Sequence, residues 1–184
     1  MTSLCGRERT ETDRYPCDRG LTAALNGSPQ NKEKPMSLTT TTHLNFRGTA
    51  RQALDFYRSV FGGTVHATTY AEVGMPADAP GADRIVFGQL DGDHGIRLMA
   101  YDIPGLDDPA TTAGSTRREN GATLTDRAFF QSLRADTLTE LEGYWGALTE
   151  GASVIEPLAA SSWSPGFGML TDRFGVTWVL DVAR

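Results

Sequence analysis

The sequence predicts an α+β protein in which a unit of one strand, one helix and three further strands occurs twice. Apolar residues repeat one helical spacing, three and then four apart, in two places: Leu54, Tyr57 and Phe61, and then Leu141, Tyr144 and Leu148. The two leading leucines are 87 residues apart, and each follows an apolar strand-ending residue, Phe46 or Leu133, by eight positions. Such a repeat indicates a duplicated module, and duplication favours a site between the copies.

Hydrophobic periodicity assigns the elements of the first copy. Alternation over residues 41–46 predicts a strand that carries His43 and Asn45 on one face. A helical apolar stripe follows over residues 48–61 and stops at two glycines, which tolerate the positive φ of a helix end. The remaining strands are expected at residues 64–72, 84–90 and 95–101.

A long polar segment, residues 102–125, separates the first copy from the second. Loops of this length are uncommon inside compact domains and are often functional. The second copy repeats the order of elements, with a helix over residues 137–150. Its strands are expected at residues 127–135, 153–158, 166–170 and 176–182. We therefore expect a single domain over residues 37–184, composed of module one at 40–102, a linker at 103–125 and module two at 126–183.

Residues 1–36 differ in composition from the rest of the chain. They are rich in charged and polar residues and show neither helical nor strand periodicity, which predicts a disordered leader. Because Met36 lies just before the first strand, one hypothesis is that residues 1–35 do not belong to the native protein. Cys5 and Cys17 both lie in this leader, so the body contains no cysteine and suits the reducing cytoplasm, which is the expected location.

Charge and hydropathy argue against two classes of partner. The formal net charge is −6 at pH 7, whereas binding to nucleic acid requires a basic face. No apolar run approaches the roughly 18 to 20 residues that span a membrane. The first 25 residues are broken by charges and contain no signal-peptide core. We therefore expect neither nucleic acid nor a membrane as a partner.

Three strings in the body resemble a known family. Residues 44–48 (LNFRG) and 98–102 (LMAYD) resemble its opening and its fourth strand. The most specific string runs from Trp163 to Trp178 and fits the pattern W-x-x-x-F-G-x-x-x-D-x-F-G-x-x-W. Together with the duplicated unit, these strings resemble the vicinal oxygen chelate superfamily of glyoxalase I, bleomycin-resistance proteins and extradiol dioxygenases, and within it the PhnB-like branch.

The resemblance covers residues 41–182 and implies how the two βαβββ modules are used. In the superfamily each mixed sheet curls, and paired modules close a cup-shaped cavity that can hold a small molecule. Such proteins commonly pair, so we expect a small-molecule ligand and a homodimer. Two arrangements stay open, because the modules can close on each other within one chain or between two chains.

The resemblance also identifies the positions of a metal in the metal-dependent members, which place one ligand on the first and one on the last strand of each module. Carried over to this sequence, the four positions fall at residues 41–43, at Leu98 or Met99, at residues 128–130, and at Trp178 or Val179. Only His43 is a credible ligand, whereas protein metal sites usually have three or four. We therefore expect no catalytic metal and no other cofactor.

Rings and polar groups are the expected lining of the cup. Flat aromatic walls suit planar or apolar ligands, and a strand face can present an imidazole and an amide beside them. The ligand-binding candidates are His43, Asn45, Phe87, Tyr101, Phe130 and Trp163. His43 is also the best candidate for a catalytic acid or base, and its alternative is a hydrogen-bonded polar residue near a strand end.

Four other conspicuous residues are expected to be structural. Residues 91–94 have the composition of a hairpin turn, so His94 is interpreted as a turn residue rather than a metal ligand. Asp172 is expected to cap the last hairpin. Asp102 is expected to fix the linker through a side-chain turn, with a cavity-facing role as the alternative. Trp178 alternates with apolar residues and is expected in the core.

Three functions from different classes fit these patterns. The leading interpretation is a metal-free protein that binds a small molecule in the cup. The second is an enzyme of lyase or isomerase type with a cavity acid or base, or a metal-dependent glyoxalase-like enzyme. The third is a protein without a small ligand that acts through its dimer surface. No glycine-rich nucleotide loop is present, so the methyltransferase label of some PhnB-like sequences is not expected to apply.

Overall fold

The structure, a computed structural model, describes residues 39–106 and 116–183. All of these residues belong to one compact unit, Thr39–Arg184. The expected leader lies outside the described residues, as do residues 107–115 of the linker, so the predictions made for them stay predictions. Within the described ranges, no helix is both long and apolar enough to cross a membrane.

The first module has the predicted order of elements. They are β1 (Thr42–Phe46), α1 (Ala50–Phe61), β2 (Thr64–Thr69), β3 (Ile85–Asp91) and β4 (Arg97–Asp102), with short 3₁₀ turns at Ala71–Val73 and Asp93–Gly95. The strands form a mixed sheet in the order β1-β4-β3-β2. β1 runs parallel to β4, and the other neighbours are antiparallel. Because α1 packs on one face of this sheet, the other face is left to present side chains.

The linker contains a hairpin that the sequence analysis did not predict. β5 (Arg117–Glu119) and β6 (Ala122–Leu124) pair antiparallel across a two-residue turn. Asn120 and Gly121 form that turn with positive φ angles of 52° and 79°. An Asn-Gly pair is a strong signal for a tight hairpin turn, because both residues tolerate positive φ. The polar composition of the surrounding segment concealed this signal.

The second module repeats the first, which confirms the predicted duplication. Its elements are β7 (Gln131–Ala135), α2 (Leu138–Leu148), β8 (Ser153–Ala159), β9 (Phe167–Thr171) and β10 (Thr177–Val182). The sheet order is β7-β10-β9-β8, and β10 runs parallel to β7 and antiparallel to β9. Thr137 begins α2 as its N-cap, since its side chain accepts a hydrogen bond from the Glu140 backbone N–H.

The first strand of the second module is shorter than predicted. A strand was expected over residues 127–135, but β7 begins only at Gln131. β10 is the strand that pairs with β7, and the register begins at the pair of Gln131 and Trp178. Strand geometry needs a partner backbone, so residues 127–130 leave the sheet despite their two phenylalanines. Residues 126–129 line a cleft instead.

Asp102, at the end of β4, holds the start of α1. Its Oδ1 accepts hydrogen bonds from the backbone N–H groups of Gly48 (2.7 Å) and Ala50 (3.0 Å). Its Oδ2 accepts one from the Ile85 N–H at 3.0 Å. Because first-turn N–H groups lack partners inside a helix, a carboxylate stabilises them and complements the helix dipole. The structural role predicted for Asp102 is confirmed, although it caps a helix rather than fixing the linker.

The helix-bearing faces of both sheets share one hydrophobic core. Tyr57 of α1 and Leu141 of α2 are both fully buried in it. The rings of Tyr57 and Phe61 lie 5.8 Å and 5.4 Å from the ring of Trp178 in the second module. Trp178 is therefore a core residue, as predicted. It follows that the open face of each sheet, defined as the face without its helix, is turned away from this core.

Candidate functional site

The open face of the first sheet presents several of the predicted site residues. His43 and Asn45 are exposed on β1, whereas Leu44 and Phe46 between and beside them are buried. Asn45 lies opposite Tyr101 in the β1–β4 register. The rings of His43 and Tyr101 meet edge to face, with 5.3 Å between their centroids. The structure therefore brings three of the six candidates together on two adjacent strands.

Phe87 lies on the same open face. The next residue, Gly88, faces Leu54 of α1, and successive strand residues point to opposite sides. The Phe87 side chain is 41% exposed, which is unusual for a phenylalanine in the middle of a strand. The open face of the first sheet thus combines an exposed aromatic side chain with the polar groups of β1.

A cleft of about 330 Å³ lies between the two modules. One wall is residues 43–46 of β1, and the other consists of residues 126–129 together with the turn at residues 174–177. His43 and Asn45 are the two candidates that line this cleft. Phe87, Tyr101, Phe130 and Trp163 are not among its lining residues. The volume is near the lower end for small-molecule sites, so it suits a small ligand.

The cleft combines polar side chains with aromatic rings. His43 and Asn45 lie on the wall from the first module, and Asp126 and Arg127 lie on the opposite wall. Asp126 and Arg127 form an ion pair, with 3.7 Å between Oδ1 and Nε. The lining phenylalanines are Phe46, Phe129 and Phe174. The charged pair was not among the residues predicted from the sequence, because it reaches the cleft only through the packing of module two against β1.

Phe130 and Trp163 belong to the second module rather than to the face that carries His43. Phe130 directly precedes β7 and is half-buried. Trp163 lies in the loop before β9, is 45% exposed, and packs edge to face on Phe167 with 4.8 Å between ring centroids. The six predicted lining residues are therefore divided between two sheets, and the cleft contains two of them.

Asp172 fixes the turn that forms part of the cleft wall. Its Oδ1 accepts hydrogen bonds from the backbone N–H groups of Phe174 (2.8 Å) and Val176 (3.0 Å), which confirms the predicted capping role. Its Oδ2 accepts hydrogen bonds from the Tyr57 hydroxyl (2.7 Å) and from Nε1 of Trp178 (2.8 Å). Burial, and then the charge of Asp172, raise the pKa of Tyr57 well above its usual value, so the hydroxyl stays protonated as a donor.

The side chains of this site do not fit the metal of the metal-dependent families. Within residues 39–106 and 116–183, no three His, Cys, Asp or Glu side chains come close enough together to hold a metal ion. His43 shares the cleft lining with one carboxylate, that of Asp126. His94 occupies the tight connection between β3 and β4 with a φ of 56°, so its interpretation as a turn residue is confirmed.

Comparison with known proteins finds similarity over both modules. A family model described as "Glyoxalase/Bleomycin resistance protein/Dioxygenase superfamily" matches residues 40–180. The crystal structure of protein PA1353 from Pseudomonas aeruginosa is 32% identical to this chain, with a TM-score of 0.60. That similarity covers 79% of this chain and 98% of PA1353. None of the curated proteins searched matches the chain.

Two further solved structures share the fold at lower identity. A Bacillus cereus protein titled "Putative 3-demethylubiquinone-9 3-methyltransferase, PhnB protein" is 23% identical, with a TM-score of 0.56 over 79% of this chain and 100% of that chain. A glyoxylase/bleomycin resistance protein/dioxygenase domain from Frankia sp. EAN1pec is 13% identical, with a TM-score of 0.53 over 81% and 99% of the two chains. At these identities the likeness concerns the fold alone.

Proposed function

Because the chain belongs to the glyoxalase/bleomycin resistance protein/dioxygenase superfamily, we propose that it binds a small organic molecule in the cleft between its two modules, without a catalytic metal. The superfamily and the βαβββ pairing predicted from the sequence are confirmed. The observation that carries the proposal is the cleft itself, about 330 Å³, which both modules line with polar and aromatic side chains. Concave sites of this composition are the usual place for a small ligand.

The lining chemistry restricts the ligand. Phe129 and Phe174 offer aromatic surface, which favours a planar or apolar body. The imidazole of His43 and the amide of Asn45 can each donate and accept hydrogen bonds. We therefore propose a small, partly aromatic molecule that carries at least one hydrogen-bonding group on the side that meets β1.

A comparison of two exposed phenylalanines tests this proposal. Phe129 lines the cleft and is 55% exposed, whereas Phe87 is 41% exposed on the first sheet and is not a lining residue. A panel of small aromatic and aliphatic compounds is first screened by thermal shift, because a ligand that binds only the folded state raises the melting temperature. For a compound that binds, we expect Phe129→Ala to weaken affinity about tenfold or more and Phe87→Ala to leave it unchanged. Equal effects of the two variants contradict a site in the cleft.

A second candidate function is an enzyme of lyase or isomerase type. The observation that favours it is that His43 and Asp126 line the same cleft, so an imidazole and a carboxylate can face one bound molecule. In that case His43→Gln abolishes turnover of a bound compound while its dissociation constant changes little. If the protein only binds the compound, mass spectrometry after incubation with the wild type finds the compound chemically unchanged.

We also propose that the protein is a homodimer of the cytoplasm. Pairing is common in the superfamily, and the open face of the first sheet exposes Phe87, as a surface that meets a second copy would. The cytoplasm is supported by the absence of cysteine from residues 37–184. Light scattering coupled to size-exclusion chromatography gives the mass directly, and twice the chain mass of 19.9 kDa is expected. A monomer at micromolar concentration contradicts the pairing.

A further inference from the structure

The β5–β6 hairpin of the linker lies on the open face of the second sheet. Gly168 of β9 faces Trp145 of α2, so its neighbours Phe167 and Met169 point away from the helix. Met169 is nevertheless only 2% exposed. The Oγ1 of Thr123, on β6, lies 3.7 Å from the Met169 sulfur. The hairpin therefore covers a surface that the first sheet leaves open.

Arg118, on β5, is the residue that the hairpin directs onto this surface. Its guanidinium carbon lies 5.4 Å from the centroid of the Phe167 ring, within the range of a cation–π interaction. Its Nε lies 3.4 Å from Oε2 of Glu156 on β8, and its Nη1 donates a hydrogen bond to Oγ1 of Thr123 at 3.0 Å. Trp163 packs edge to face on the same Phe167 ring. One aromatic ring and a carboxylate thus contact the planar cation, and a second ring packs on the first.

We propose that Phe167, Trp163 and Glu156 form a second binding site, specific for a planar organic cation, which Arg118 of the chain's own hairpin fills in this structure. The physical reason is the composition of the surface. Aromatic faces attract cations through their quadrupole, and a carboxylate adds a charge-assisted partner for N–H groups. An external guanidinium or amidinium group can contact Phe167 and Glu156 as Arg118 does, and an attached aromatic body can extend towards Trp163.

The contacts that hold Arg118 are of a kind that a ligand can replace. The side chain of Arg118 is 23% exposed and that of Glu156 is 40% exposed, so water screens their ion pair. β5 and β6 have three residues each, and a two-stranded hairpin of this length has little stability of its own. While Arg118 occupies the site, an external ligand can bind only to the fraction of molecules in which the site is open. The apparent affinity for that ligand is lowered in proportion to this fraction.

Charge decides the class of ligand. Glu156 gives the site a negative group, and Arg118 is the positive group that leaves when the hairpin is displaced. An anion would then meet a carboxylate without a compensating charge, which is unfavourable. The exposed ring of Trp163, at the margin of the site, extends the aromatic surface beyond the area that Arg118 covers. The site therefore favours a cation with an aromatic body over a small aliphatic cation.

The test measures phenylguanidinium binding by isothermal titration calorimetry to the full chain and its variants. Arg118→Ala removes the internal occupant, and we expect it to bind phenylguanidinium at least about tenfold more tightly than the wild type. Arg117→Ala is the matched control, because Arg117 is the neighbouring hairpin arginine but pairs with Glu119 of the same strand. That variant should bind with the wild-type affinity. Circular dichroism verifies that each variant is folded.

Second substitutions test whether the tighter phenylguanidinium binding of Arg118→Ala arises at this site. In the Arg118→Ala background, Glu156→Gln and Trp163→Ala should each reverse most of the gain. If Arg118→Ala does not fold, Arg118→Gln removes the same charge while it keeps donor groups and most of the side-chain length. The proposal is overturned if neither Arg118 variant binds more tightly than the wild type, or if the second substitutions leave the gain intact. Phe129→Ala should not change phenylguanidinium binding. The outcome of this test is therefore independent of whether a ligand binds in the cleft.

Discussion

The hydroxyl of Tyr57 in α1 donates a buried hydrogen bond of 2.7 Å to Asp172, which lies 115 residues further along the chain. This hydrogen bond joins the helix of the first module to the last hairpin of the second module. Asp172 also holds the backbone of the turn at residues 174–177, and that turn is part of the cleft wall. The packing of the two modules and the shape of the candidate site therefore depend on the same carboxylate.

Removing the Tyr57 hydroxyl should destabilise the protein measurably. Tyr57→Phe keeps the buried ring but takes one of four donors from Asp172, and hydrogen bonds to charged groups contribute about 1.5–3 kcal/mol each. We expect a loss of about 2 kcal/mol in the free energy of unfolding, measured by urea titration. Tyr144→Phe is the control, since the Tyr144 hydroxyl makes no hydrogen bond within the described residues. Equal losses for the two variants would show that the bond to Asp172 contributes nothing.

The same pair predicts a stability change at alkaline pH. Burial and the charge of Asp172 raise the pKa of Tyr57 above its value of about 10 in an unfolded chain. The folded state thus holds this proton more tightly, so its contribution is complete below pH 10 and is lost as the pH rises towards the folded pKa. Between pH 9 and 11, the stability of the wild type should fall more steeply than that of Tyr57→Phe. Parallel curves would contradict the link between Tyr57 ionisation and stability.

Asp102 should contribute more to stability than an exposed aspartate does. Asp102→Asn leaves a single oxygen where two oxygens accept three backbone hydrogen bonds at the start of α1 and at Ile85. We expect a loss of about 2–3 kcal/mol in the free energy of unfolding, because buried N–H groups lose their partner. Asp91→Asn, which disturbs the exposed pair of Asp91 and Arg97, should have a much smaller effect in the same urea titration. The reverse order would contradict the capping role.

Two glycines of the second module should respond to alanine in opposite directions. Gly146 lies on the exposed side of α2 with open space where a Cβ would be, so Gly146→Ala should stabilise the protein by about 0.5–1 kcal/mol. At Gly168 a Cβ would lie 2.6 Å from the Trp145 ring and 3.1 Å from the Leu158 backbone. Gly168→Ala should therefore destabilise by about 1–3 kcal/mol. Thermal unfolding followed by circular dichroism measures both, and a stabilising Gly168→Ala would contradict the packing of α2 on β9.

The helices and most strands could be predicted because their signals are local. The spacing of Leu54, Tyr57 and Phe61 places one apolar face on α1, and the structure buries all three residues. The alternation in β1 separates buried Leu44 from exposed His43 in the same way. Such periodicities are set by the geometry of the element itself, so one sequence is sufficient to detect them.

The length of β7 and the position of the β5–β6 hairpin depend on contacts between distant segments. Residues 127–130 resemble a strand in composition, but the ladder with β10 begins only at Gln131. The turn at Asn120-Gly121 was a local signal for a hairpin. The contact of this hairpin with Met169 could not be predicted from the local sequence, because it depends on how the linker folds back over the second sheet.

The candidate site was predicted in part for the same reason. His43 and Asn45 follow from strand alternation, and both line the cleft. Asp126 and Arg127 were missed, because they reach the cleft only through the packing of module two against β1. Trp163 was expected in the lining of the cup, and the structure places it on Phe167 of the second sheet. A role in binding remains a prediction for all of these residues.

A backbone amide NMR titration tests the central claim most directly. Uniformly ¹⁵N-labelled protein is titrated with the tightest-binding compound from the thermal-shift screen, and the shift of each amide signal is followed. The account predicts that the largest changes fall at residues 43–46, 126–129 and 174–177, which line the cleft between the modules. Largest changes confined to other residues, with those three segments unmoved, would contradict it.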